Sequence, residues 1–164
     1  MKISVTNSHR GLGLAISKRF ENVIDGFDEN SDVFINNRHN SFKQTELLLE
    51  VFNKWKDTEK TIVNIVSRSK YPNISKGYLY SASKAALSHL SSNLRFISDK
   101  KCRIIDINPG LLESELPSLS YDEIVDTIEY CINLPIHIEV GEISIWHKTP
   151  YNEISKLKDD NRKN

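Results

Sequence analysis

A chain of 164 residues with 22 basic and 22 acidic side chains has no formal net charge, and 27% charged with 38% hydrophobic residues describes one domain with one core. Neutrality excludes the basic footprint that nucleic acid or an anionic membrane requires, which leaves a small-molecule pocket as the expected binding site. No apolar run is long enough to span a bilayer, and the opening MKISVTNSH lacks the apolar stretch of a signal peptide, so the expected location is cytoplasmic.

Ile3-Ser4-Val5-Thr6 reads as a buried strand that stops at the glycine-containing turn Asn7 to Gly13. Leu12, Ile16 and Phe20 then form the apolar stripe of a helix ending near Asn22, and Gly26 with the acidic stretch Asp28 to Ser31 marks a loop. Val33-Phe34-Ile35 is a second strand, followed by a helix over Ser41 to Lys56 whose stripe includes Leu48, Val51, Phe52 and Trp55. Thr61 to Val66 is the third, with a loop containing Pro72 and a long helix from Leu79 to Ser98 after it. Arg103 to Ile107 is the fourth strand, closed by Pro109-Gly110. A last helix fits Tyr121 to Leu134, and Ile143 to Trp146 is the final strand.

Near-continuous apolar strands separated by helices imply a doubly wound α/β domain with a parallel sheet covered on both faces. That domain spans residues 1–148, and 149–164 read as a polar, mobile tail. Cys102 and Cys131 lie in apolar periodic segments without ligand spacing and read as buried free thiols, so no metal site is expected.

In such a sheet, ligands bind at the carboxyl ends of the strands. There, Thr6-Asn7-Ser8-His9-Arg10-Gly11-Leu12-Gly13 follows a strand and opens a helix, whose free N–H groups and positive dipole end suit a pyrophosphate. A glycine pair alone marks only a turn; its place between strand and helix is the context that a dinucleotide motif requires. In Tyr80-Ser81-Ala82-Ser83-Lys84 the phenol and ammonium share one helix face. A free tyrosine has a pKa near 10, and bringing one to about 7 takes roughly 4 kcal/mol, which a shielded ammonium is able to supply. Ser67 ends the third strand thirteen residues earlier, so its hydroxyl meets the start of that helix.

These landmarks together resemble the short-chain dehydrogenase/reductase family over Lys2 to about Trp146. The turn Thr6 to Gly13 resembles the family's cofactor loop, Asn36-Asn37 the start of its NNAG motif, and Ser67, Tyr80 and Lys84 its catalytic serine and YxxxK. Pro109-Gly110, with Leu112 and Ser114 beyond it, resembles the PG motif that contacts the nicotinamide amide. The resemblance implies hydride transfer between NADP(H) or NAD(H) and a carbonyl or alcohol, with Tyr80 as acid and base, Ser67 holding the substrate oxygen, and Lys84 favouring the phenolate and bonding the ribose. It assigns Asn40, 27 residues before Ser67, to a water relay toward Lys84, although a helix N-cap is the plainer reading of that residue.

The chain departs from the family between the first helix and Asn36, where too few residues remain for the usual second and third strands. About five strands are therefore expected, with at most a strand remnant at Val23-Ile24 and the first strand at or near an edge. This removes the usual adenine wall. Arg10 favours NADP through its fit to a 2′-phosphate, while Asp25 offers a carboxylate to the ribose of NAD; NADP(H) is the expected preference and NAD(H) the alternative. Arg38 and His39 stand where the family has small residues, and the short stretch Leu111 to Gly141 implies a reduced lid. The rival functions are a non-catalytic binding module that keeps the fold, and a nucleotide-sugar epimerase or dehydratase. By resemblance, the helices over 41–56 and 79–98 form a homodimer or homotetramer interface.

Overall fold

The computed structural model describes residues 1–72, 77–150, 152–154 and 156–157. Six strands, β1 (Ile3–Val5), β2 (Val23–Asp25), β3 (Val33–Asn36), β4 (Thr61–Ile65), β5 (Arg103–Pro109) and β6 (Glu142–Ile145), form one sheet in the order β2-β1-β3-β4-β5-β6. Every neighbouring pair is parallel. The helices are α1 (Gly11–Arg19), α2 (Lys43–Trp55), α3 (Tyr78–Arg95) and α4 (Tyr121–Asn133).

The central strands are buried throughout, as their uninterrupted apolar runs require when both faces are covered. Alternation along β4 divides the core in two. Val63 and Ile65 pack with Leu12 and Ile16 of α1 and Ile124 and Ile128 of α4. Ile62 and Val66 pack on the other face with Leu48 and Phe52 of α2 and Leu87 and Leu94 of α3. Cys102 and Cys131 are buried free thiols, one in each half.

The sheet has six strands where about five were expected. α1 ends at Arg19, three residues before the expected end near Asn22, and Asn22 adopts φ 57°, a reversal that lets Val23-Ile24-Asp25 pair with Ile3-Ser4-Val5. Only two apolar residues mark β2 in the sequence, too short a run to separate a strand from a loop by pattern. It forms the edge, and β1 lies just inside it.

A polar ladder crosses the α2/α3 side of the sheet at matched register, with Asn36 opposite Asn64 and Asn64 opposite Asp106. The Asn36 amide donates to Asn64 Oδ1 at 3.1 Å, and the Asn64 amide donates to Asp106 Oδ1 at 3.0 Å. Ser91 Oγ of α3 donates to the same carboxylate at 2.8 Å, fixing α3 to the strands beneath it. Burial raises the Asp106 carboxyl above its ordinary range, opposed by the Arg95 charge.

Of the expected tail, residues 149–150, 152–154 and 156–157 are described, and Glu153 and Ile154 donate there to the Pro150 carbonyl. The remainder of the tail, and residues 73–76 of the loop after Pro72, lie outside the described residues.

Candidate functional site

The loop after β1 is shaped by two left-handed residues, Asn7 at φ 66° and Gly11 at φ 54°. A Cβ on Gly13 would stand 1.8 Å from the Asn7 carbonyl oxygen, so only glycine lets α1 start against the end of β1. No side chain caps α1, which leaves its first N–H groups directed at the carboxyl rim of the sheet. Thr6 Oγ1 accepts from the backbone N–H of Asn37 at 2.9 Å and of Arg38 at 2.8 Å, tying the β3 loop to the β1 loop.

Asp25, at the end of β2, accepts from the Ser8 backbone N–H at 2.8 Å, and this bond is the main reason its carboxyl lies below the ordinary range. His9 Nε2 lies 3.4 Å from the other carboxylate oxygen. Arg10 Nε donates to Asn7 Oδ1 at 3.2 Å, with no carboxylate paired to its guanidinium among the described residues.

Ser67 extends the line of β4 and caps a 3-10 turn at Arg68–Lys70; its Oγ accepts from the Ser69 N–H at 3.1 Å and the Ser69 hydroxyl at 2.9 Å. Its own proton is left to donate outward. Tyr80 lies in the first turn of α3 and is 37% exposed, whereas Lys84, one turn on, is 2% exposed. The Lys84 ammonium donates to Gln44 Oε1 at 2.8 Å and to the Ile65 carbonyl at 2.7 Å, with the Tyr80 ring centroid 5.7 Å away. Both partners are neutral acceptors, and burial pushes the ammonium down to about 7 from its ordinary 10.5.

The expected Asn40 does not meet Lys84. Its residue is exposed in the loop before α2, and its carbonyl accepts from Lys43 N–H at 3.1 Å. Gln44, four residues on and 3% exposed, makes the contact instead, while its own amide donates to the carbonyls of Asn36 and Ile65. A glutamine on the buried face of an otherwise apolar stripe is the signal that points to it. Asn36 is also turned inward, into the polar ladder and onto the Gln44 carbonyl at 2.8 Å, whereas Asn37 bonds the Thr6 carbonyl at 3.2 Å. His39 sets its ring edge against Tyr80, centroids 4.7 Å apart. Burial first, and the Lys84 charge second, lower the imidazole below its ordinary value.

At the far side of the rim, Pro109 is the last residue of β5, and the Gly110 N–H donates to the Ile145 carbonyl at 2.8 Å. Leu112 bridges to Leu119, and Ser114 is engaged within its own loop: its N–H donates to Ser118 Oγ at 3.0 Å and its Oγ accepts from Leu116 N–H at 3.2 Å. No helix among the described residues is long and apolar enough to cross a membrane.

This chain is similar in fold to the closed form of a serine dehydrogenase complexed with NADP+, at TM-score 0.77 and 17% identity over 92% of this chain and 97% of that one. An alcohol dehydrogenase from the archaeon Thermococcus sibiricus, complexed with 5-hydroxy-NADP, matches at TM-score 0.73 and 18% identity over 92% and 99% of the respective chains. An uncharacterized oxidoreductase of Staphylococcus saprophyticus is 29% identical over 94 residues, 51% of this chain and 40% of that protein's length. The chain thus spans well under half the length of that curated relative. The family model for short chain dehydrogenase matches residues 28–123, more than half of the sequence and including Ser67, Tyr80 and Lys84, and the chain belongs to that family.

Proposed function

We propose that the chain is an oxidoreductase that moves hydride between NADP(H) and a carbonyl or alcohol, using Ser67, Tyr80 and Lys84. The observation that carries this reading is Lys84: an ammonium 2% exposed, held by neutral oxygens alone, one helical turn from a phenol. A cation kept without a counter-charge is poorly explained by stability. Its electrostatic use is to favour an anion beside it, here the phenolate of Tyr80.

The first loop fits a nicotinamide dinucleotide. A cradle that a Cβ on Gly13 would fill, two left-handed residues and the uncapped start of α1 suit the pyrophosphate. The bound nicotinamide supplies the hydride acceptor or donor. In oxidation the alcohol O–H gives its proton to the Tyr80 phenolate as the carbinol C–H bond breaks and its electron pair leaves as hydride; in reduction both transfers reverse. Ser67, with two bonds already accepted, donates its own proton to the substrate oxygen. Preference for NADP(H) rests on Arg10, whose guanidinium is unpaired by carboxylate among the described residues, while His9 faces Asp25.

Self-association through α2 and α3 is part of the proposal, supported by the exposed Leu49, Leu79 and Phe96. A screen of secondary alcohols and ketones with both cofactors tests the chemistry. Tyr80→Phe should cut turnover by about 10²–10⁴-fold and leave cofactor affinity unchanged. Equal turnover in that variant would remove Tyr80 from the reaction. His39, set against the Tyr80 ring, favours the non-catalytic reading, and His39→Gly separates the two: an enzyme should keep or gain activity.

A further inference from the structure

Arg68 directly follows Ser67, and its guanidinium carbon lies 3.9 Å from the centroid of the Trp146 ring. Trp146 follows β6, next to the end of β5: a Cβ on Gly110 would stand 2.8 Å from Trp146 Cβ. Arg68 therefore reaches from the end of β4 to the end of β6, across the same rim on which Ser67 stands.

Its charge meets no carboxylate among the described residues. Glu142, at the start of β6 and so below the rim, is already paired: Lys70 Nζ is 2.5 Å from one oxygen, and the Tyr71 hydroxyl donates to the other at 3.0 Å. Lys70 also bonds Ser88 of α3 at 2.8 Å, so its position is fixed. Among the described residues no carboxylate pairs with Arg68, whose side chain is exposed. Stacking on an indole holds the guanidinium plane at small entropic cost and leaves the in-plane N–H donors free. A planar fork of donors, pre-ordered and without an anionic partner among the described residues, matches a carboxylate or phosphate in bidentate geometry.

We propose that Arg68, braced by Trp146, binds an anionic group of the substrate, so that the substrate class is hydroxy or oxo compounds carrying a carboxylate or a phosphate. This rests on the oxidoreductase reading, but its test needs no turnover. Of the two tryptophans, Trp55 is 1% exposed and Trp146 49%, so intrinsic fluorescence reports on Trp146 when small molecules are added.

The full chain with Tyr80→Phe, free of cofactor, is titrated with 3-hydroxybutyrate, glycerol 3-phosphate and neutral butan-2-ol. The expected result is a saturable change with one or both anions and none with butan-2-ol. Arg68→Gln should weaken it about tenfold, and Arg68→Lys should restore it in part. Binding of the carboxylate alone or the phosphate alone identifies the group. An equal response to butan-2-ol, an unchanged affinity in Arg68→Gln, or no response to either anion would overturn the proposal. Loss of cofactor binding would instead sink the oxidoreductase reading and leave these titrations as they are.

Discussion

Lys84 and Gln44 are joined by a 2.8 Å hydrogen bond in which a 2%-exposed ammonium donates to a 3%-exposed amide, with no carboxylate taking part. The same glutamine bonds the ends of β3 and β4 through the carbonyls of Asn36 and Ile65. It positions the lysine and closes the top of the polar ladder. Gln44→Leu leaves the buried cation with the Ile65 carbonyl alone and removes the amide donor from the Asn36 carbonyl, and should cost about 1–3 kcal/mol in urea unfolding. Asn40→Ala, at an exposed loop residue, should fall within about 0.5 kcal/mol of the parent. The opposite order would return the relay role to Asn40.

Lys84 also sets a pH dependence. Its pKa is near 7 in the folded chain and 10.5 when exposed, so between these values the unfolded chain binds the extra proton. Stability contributed by this group therefore rises with pH from about 7 to 10.5 and is withheld below 7, where the charge must be buried. The slope is at most about 1.4 kcal/mol per pH unit. Thermal unfolding of the parent and of Lys84→Met across this range should show a rise in the parent that the variant lacks.

Gly13 is a steric requirement of the first loop. Gly13→Ala would place a methyl group 1.8 Å from a backbone oxygen that has little freedom to move, since Asn37 also bonds the loop. Overpacking of this kind should cost about 3 kcal/mol and reduce binding of either cofactor, whereas Gly26→Ala, with nothing within 4 Å, should be limited to the strain of its φ of 85°. Denaturant melts of both variants check this.

The layering of the domain was legible because its strands are fully buried and therefore apolar end to end, as in Val33 to Ile35 and Ile104 to Ile107. Val23-Ile24-Asp25 was legible only as a strand remnant, because an edge strand of two half-buried residues and one exposed one carries no periodicity. Within the candidate site, the nearness of Tyr80 and Lys84 was legible by spacing, since a helical turn sets them on one face. Gln44 was not. Its place on the buried stripe of α2 marks it as unusual, but its meeting with Lys84 depends on the packing of α2 against α3, and the family resemblance points to Asn40 instead. Arg68 was silent for a similar reason: its stacking partner, Trp146, is far away in sequence and meets it only through the order of β4, β5 and β6.

Calorimetric titration of the full chain with NADPH and, separately, NADH, repeated on Arg10→Ala, tests the central proposal most directly. The account predicts saturable binding of NADPH, tighter than that of NADH, and a loss of that difference in Arg10→Ala. A folded chain that binds neither cofactor would contradict it.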